Sequence, residues 1–204
     1  MNFSDVAENW DTEYRVKRAK IIADEVNKFI IPKEEQCALE FGCGTGLVSF
    51  NLQDKFKHIT LIDSSKGMIE KLNSKIQHLN IHNMKAYHMD INDMRWVSEK
   101  YDFIYVSMAL HHIKDIKQCL EILYKLLKSD GCLCIVDLVE DDGSFHKLEL
   151  DFDGHNGFNT VELIKTLDIV GFKNIDTYVF YQDTKNIEDL IVDYSLFLMA
   201  GYRA

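Results

Sequence analysis

The chain has 204 residues, 47% apolar and 27% charged, a balance that suits one globular unit with a sizeable core and excludes a disordered or fibrous chain. Its 33 acidic and 23 basic residues leave a formal charge of −10, which repels polyanions and disfavours nucleic-acid partners. No run approaches ~18 apolar residues and the N-terminus lacks a secretory core, so the expectation is a cytoplasmic protein with no membrane contact, as monomer or homodimer.

One proline, no Gly/Ser-rich linker and no repeat point to a single domain over 1–204. The five cysteines are odd in number and form no C-x-x-C pair, which suggests neither a disulfide framework nor a zinc site. Cys132 and Cys134 read as buried small hydrophobes.

The first expected element is a helix over residues 4–30, with Val16, Ala19, Ile22, Ala23, Val26, Phe29 and Ile30 at helical spacing. The basic run Arg15 to Lys20 then reads as its exposed face. A strand over 37–41 ends at glycines, and a helix starts near Thr45. A second strand (58–63), a helix (65–79) and a third strand (84–89) follow. The fourth strand (101–108) precedes a helix over about 116–127 and a Ser129-Asp130-Gly131 turn, where Gly131 supplies backbone freedom. The fifth strand is CLCIVDL, and Thr160 is expected to cap a helix that ends at Gly171. Two last strands, about 173–181 and 195–203, lack a helix between them and should pair antiparallel. Strands alternating with helices predict an α/β fold with a largely parallel sheet covered on both faces.

Gly42, Gly44 and Gly46 follow the first strand and precede a helix, so the backbone can turn sharply and admit a ligand against the main chain. Dinucleotide loops prefer G-x-G-x-x-G. Here the pattern is E-x-G-x-G-x-G, with Glu40 two residues before the first glycine.

Glu40-Phe41-Gly42-Cys43-Gly44-Thr45-Gly46 resembles the first motif of class I S-adenosylmethionine-dependent methyltransferases, and the later strand ends keep that family's order. The resemblance implies a Rossmann-like three-layer sandwich with seven strands, mostly parallel with the last antiparallel, and S-adenosylmethionine as cofactor. It sets Glu40, Gly42, Cys43, Gly44 and Gly46 along the cofactor. Asp63 would hold the ribose, followed by Ser64, with Met68 over one adenine face. Asp90 would lie beside the adenine amino group with Ile91 near the ring, and Asp93 is the competing acid. Ligands in open α/β sheets sit beyond the carboxyl ends of strands, which puts Ser107 and Met108 at the methionine portion and leaves Asp102 at the far end. Ala7-Glu8-Asn9-Trp10-Asp11 resembles the A-x-x-W-D opening of small methyltransferases. Residues 1–30 would thus form a helical lid, with Trp10 on the cofactor or simply packed on the sheet edge.

Proton removal, if the acceptor needs it, has its first candidate in His112, then His111, with Asp115, His146 and His155 as others, and a structural or cofactor-side role for the two adjacent histidines as the alternative. The irregular segment 138–158 lies where the family builds its acceptor pocket, and its acids could attract a cationic or amine acceptor. No compact ligand spacing supports a metal there. The expected activity is methyl transfer to a small-molecule acceptor. The alternatives are a protein or RNA methyltransferase and a non-catalytic cofactor-binding scaffold.

Overall fold

The apolar runs assemble into one sheet. A computed structural model, which describes residues 3–31, 35–96, 98–149, 152–187 and 190–204, contains strands β1 (Cys37–Phe41), β2 (His58–Asp63), β3 (Met84–His88), β4 (Tyr101–Ser107), β5 (Leu127–Leu138), β6 (Phe172–Ile187) and β7 (Leu190–Arg203). Their order is β3-β2-β1-β4-β5-β7-β6. β1 to β5 run parallel, and β7 is antiparallel to both β5 and β6. The expected Rossmann-like sandwich is thus the fold observed.

Side chains alternate between faces along each strand, and both faces are apolar. Ala38, Ile59, Leu61, Phe103 and Cys134 pack with helices α2 (Glu13–Asn27), α3 (Leu47–Leu52) and α4 (Lys66–His78). Leu39, Ile62, Ile104 and Ile135 point the other way, onto α5 (Ile116–Leu126) and α6 (Thr160–Val170). Strand order reverses between β1 and β4, which opens a crevice beyond their carboxyl ends. No described helix is long and apolar enough to cross a membrane.

Four local expectations change. The continuous helix over 4–30 is instead α1 (Phe3–Val6), a 3-10 turn (Ala7–Asn9) and α2. The Thr12 hydroxyl accepts from Arg15 N–H at 3.3 Å and starts α2 afresh. Val16 is 44% exposed, so the buried stripe begins at Ala19. Asn159, not Thr160, caps α6, because its side-chain carbonyl reaches the N–H groups of Val161 and Glu162.

At Ser129-Asp130-Gly131 there is no separate turn. β5 already begins at Leu127, and a bulge opposite Tyr101–Phe103 absorbs the extra residues. Asp130 takes the left-handed φ of 60°. Gly131 is required for another reason, since a Cβ there would lie 2.8 Å from the Lys128 carbonyl oxygen. The last two strands are also longer than their apolar residues suggest. Their ladder continues through polar Gln182–Asn186, because backbone pairing needs no apolar side chain.

Candidate active site

The crevice holds a cavity of about 570 Å³, within the usual range for small-molecule sites. β1 delivers the glycine loop to its floor. Gly42, Gly44 and Gly46 have φ of 69°, 52° and 78°, values that disfavour any side chain. At Gly42 a Cβ would sit 2.3 Å from the Ala109 Cβ, so the loop packs directly on the segment after β4. At Gly44 the space is open except for Trp10 Nε1 at 3.8 Å.

Asp63, at the end of β2, ties this loop to α4. Its Oδ2 accepts from Gly44 N–H and its Oδ1 from Ser65 N–H, each at 2.8 Å. Burial pushes its carboxyl up, against those two hydrogen bonds. Glu40 is 2% exposed on β1. It accepts from the Ser49 hydroxyl, which also bonds the Tyr105 hydroxyl. Burial is the main cause that raises Glu40 to about 8, and Ser49 opposes it.

The N-terminal segment closes one side. Asp11 accepts from the Thr45 hydroxyl in the glycine loop and pairs with Lys75 at 2.7 Å, while Lys75 also donates to the Thr45 carbonyl at 2.8 Å. Ser4 Oγ meets Ser65 Oγ at 3.1 Å and accepts from Gly67 N–H. These contacts hold Trp10 at the cavity wall, with the Arg15 guanidinium 4.0 Å over its ring.

The opposite wall carries histidines. His111 follows β4, and its Nδ1 lies 2.5 Å from Oδ1 of Asp137 on β5. Asp137 is fully buried and also accepts from the backbone N–H groups of His111 and Leu138. A carboxylate at Nδ1 keeps the proton there and leaves the Nε2 lone pair for another partner. His112 is lowered to about 4 and His146 to about 3, in both cases by burial first and then by neighbouring histidines. His146 stacks on Phe152 with centroids 3.8 Å apart. Its Nδ1 is buried with no hydrogen-bond partner among the described residues.

The cavity wall includes all the residues expected from sequence to face the cofactor except Gly46, whose Cβ position is filled by Leu72 and Phe50. Gly46 shapes the loop and the start of α3 rather than the wall. Met108 holds a left-handed φ of 52° at the end of β4, a strained conformation for a residue with a side chain. Asp90 lines the cavity, whereas Asp93 opens the following 3-10 turn and accepts from Asp90 N–H. Asp102 lies at the other end, accepting from Cys37 N–H and Lys128.

Among the other proton-acceptor candidates, only His146 joins His111 and His112. Asp115 caps α5 by accepting from Gln118 N–H, and His155 contacts the Lys114 carbonyl. Among the described residues no three His, Cys, Asp or Glu side chains are placed to hold a metal ion together.

The segment 138–158 reaches the cavity through Phe145, His146 and Glu149, but its acidic run does not. Asp141 and Asp142 accept from the backbone N–H groups of Gly143, Ser144 and Phe145, so they shape a turn and do not line the cavity. Leu150 and Asp151 of that segment lie outside the described residues, as do Met1 and Asn2 of the N-terminal one. Conversely, Arg15 and Arg18, expected on an exposed helix face, line the cavity with Lys185. Asp137 was also legible only as one polar residue ending the apolar run CLCIVDL, and nothing local in β6 marks Lys185.

Residues 32–186 match the protein family described as Methyltransferase domain. The chain belongs to this family. An uncharacterized methyltransferase of Schizosaccharomyces pombe is 31% identical over 158 residues, which cover 71% of this chain and 56% of that protein. The match therefore spans little more than half of that relative's length. A solved structure of a SAM-dependent methyltransferase from Aquifex aeolicus superimposes with a TM-score of 0.70 at 16% identity, covering 98% of each chain. The Haemonchus contortus phosphoethanolamine N-methyltransferase 2, in complex with S-adenosyl-L-methionine, gives 0.72 at 13% identity over all of this chain and 60% of the other. At such low identity the shared fold carries no acceptor over to this chain.

Proposed function

We propose that this methyltransferase uses S-adenosylmethionine to methylate a small-molecule acceptor. The observation that carries the reading is Gly44: its left-handed backbone faces open cavity, and the same residue's N–H is held by Asp63. That arrangement fits a nucleoside laid against the main chain, with an acid at its ribose.

Each Asp63 oxygen accepts one N–H and has lone-pair capacity left for a ribose hydroxyl. Asp90, Ile91 and Met68 line the cavity and would surround the adenine. Glu40, Gly42, Cys43, Ser64, Ser107 and Met108 line the rest of the donor half, and Gly46 supports it from behind. The sulfonium of the cofactor supplies the electrophilic methyl group. The chain's own residues hold the acceptor in line and keep water out. Phe3, which lines the cavity, packs edge-to-face with both Trp10 and His112.

His111 takes the acceptor's proton at Nε2 in this reading, and Asp137 keeps the ring turned and stabilises the imidazolium that forms. His112 and His146 stay neutral at neutral pH and present polar atoms without competing charge.

Calorimetry with S-adenosylhomocysteine tests the donor site, with binding expected at about micromolar affinity, or about −8 kcal/mol. No heat from a folded sample rejects the reading. Transfer of labelled methyl from the cofactor to a metabolite extract then separates an enzyme from a binding scaffold, which would label nothing.

A further inference from the structure

We propose that the acceptor carries a carboxylate or phosphate group, received by Arg15, Arg18 and Lys185. This rests on the methyl-transfer reading of the same cavity and adds the chemical class of its substrate.

The three cations come from separate parts of the chain, α2 and β6, yet line one cavity in a protein of net charge −10. Each is oriented by a neutral acceptor. Arg15 Nη1 donates to the Trp10 carbonyl at 3.2 Å, Arg18 Nη1 to the Tyr194 hydroxyl at 3.2 Å, and Lys185 Nζ to the Phe145 carbonyl at 2.7 Å. Lys185 also lies 3.9 Å over the Phe145 ring. None of the three is within 4.0 Å of a carboxylate among the described residues.

Three cations on a partly buried wall with one lining carboxylate beside them, Glu149, leave an excess of positive charge that is costly without a further counter-charge. Lys185 shows the cost: burial lowers its proton affinity first, and Arg18 and Arg15 lower it further. Glu149 and Asp141 oppose that shift from a distance, as Asp11 does for Arg15, while Asp183 is bound to the Tyr181 hydroxyl. Two guanidinium forks and an ammonium match the oxygens of a carboxylate or phosphate.

The position also suits an acceptor. Arg18 bonds Tyr194, Tyr194 packs on Phe145 at 5.1 Å, Phe145 on His146 at 4.9 Å, and His146 on His111 at 5.0 Å. An anionic end held by the cations would therefore direct an aromatic or apolar body toward the histidines. Asp141 and Asp142 are occupied by backbone N–H groups, and Glu149, the acid of this segment that lines the cavity, is one carboxylate against the three cations.

The test is calorimetric titration of the full chain with benzoate, phenyl phosphate and benzamide, with and without saturating S-adenosylhomocysteine. At least one anion should bind about tenfold or more tighter than benzamide, and the tighter of the two identifies carboxylate or phosphate. In Arg18→Gln/Lys185→Gln that preference should vanish, while the urea midpoint and S-adenosylhomocysteine affinity stay as in the wild type. Equal binding of all three probes, no binding of either anion, or a preference retained by the variant overturns the proposal. Absence of S-adenosylhomocysteine binding would reject the donor reading instead, and the anion preference is read independently of it.

Discussion

His111 and Asp137 stand 26 residues apart in sequence, yet Nδ1 of one lies 2.5 Å from Oδ1 of the other. The register of β4 against β5, with Ser107 opposite Val136, brings the two strand ends together. The pair gives a buried ring one defined orientation beside the cavity.

His111→Asn should lower methyl transfer to the metabolite extract by about 10²–10⁴-fold, the range for a lost proton acceptor, with S-adenosylhomocysteine affinity unchanged. Asp137→Asn should lower transfer as well, and imidazole nitrogen NMR should show His111 losing its single tautomer. It should also cost about 1.5–3 kcal/mol in urea denaturation, because a buried carboxylate accepting three hydrogen bonds is replaced.

Two neighbouring glycines should fail differently. Gly42→Ala meets Ala109 and should destabilise the fold by about 1–3 kcal/mol or more. Gly44→Ala should remain folded, since only Trp10 is near its Cβ, but should lose most affinity for S-adenosylhomocysteine. Equal thermal stability of the two variants would contradict this division.

Asp63→Ala removes the acceptor of Gly44 and Ser65 N–H as well as the proposed ribose contact. Cofactor-product affinity should fall by about 1.5–3 kcal/mol, the scale for hydrogen bonds to a charged group. Calorimetry reads it directly, and an unchanged affinity would place the ribose elsewhere.

The pH dependence has opposed contributions. Glu40 is raised to about 8 in the folded chain. The folded state then binds the extra proton above the ordinary carboxyl range, so this group's stabilisation is present at low pH and lost as pH rises through about 8. Glu40→Gln should match wild type near the low end of that window and become the more stable by a few kcal/mol at its top, since a tenfold change in proton affinity is worth about 1.4 kcal/mol. His112 has the reverse sign. Lowered to about 4, it favours folding above the ordinary imidazole value, and that stability is lost as pH falls toward about 4. His112→Phe should flatten the acid limb of the urea midpoint against pH by about 1–3 kcal/mol.

Asp11→Ala releases the Thr45 and Lys75 contacts that anchor the N-terminal segment. Because the Asp11–Lys75 pair is about three-quarters buried at both ends, the loss should be about 1 kcal/mol. It should appear chiefly as faster amide exchange over residues 3–12 and weaker S-adenosylhomocysteine binding.

The order of strands and helices, the glycine loop and the acids at the next two strand ends could all be read before any contact was known. Those features are local: side-chain period sets the strands, and a run of left-handed residues calls for glycine wherever it occurs. Hence β1, β2 and one wall of the cavity were legible down to Asp63 and Asp90, while Asn159 displaced Thr160 through detailed cap geometry.

The cavity wall proposed for the acceptor is a product of folding. Arg15 and Arg18 look like a solvated helix face until the break at Trp10–Thr12 sets α2 against the hairpin of β6 and β7. Lys185 sits in a polar stretch, and Asp137 interrupts an apolar strand without naming its partner. Their meaning arises from contacts across as many as 176 residues, as between Arg18 and Tyr194, and no periodicity encodes which distant side chains will share a cavity. The glycine loop speaks for the donor because its backbone geometry is local. The charge proposed to meet the acceptor resides in side chains that become neighbours only when the chain has folded.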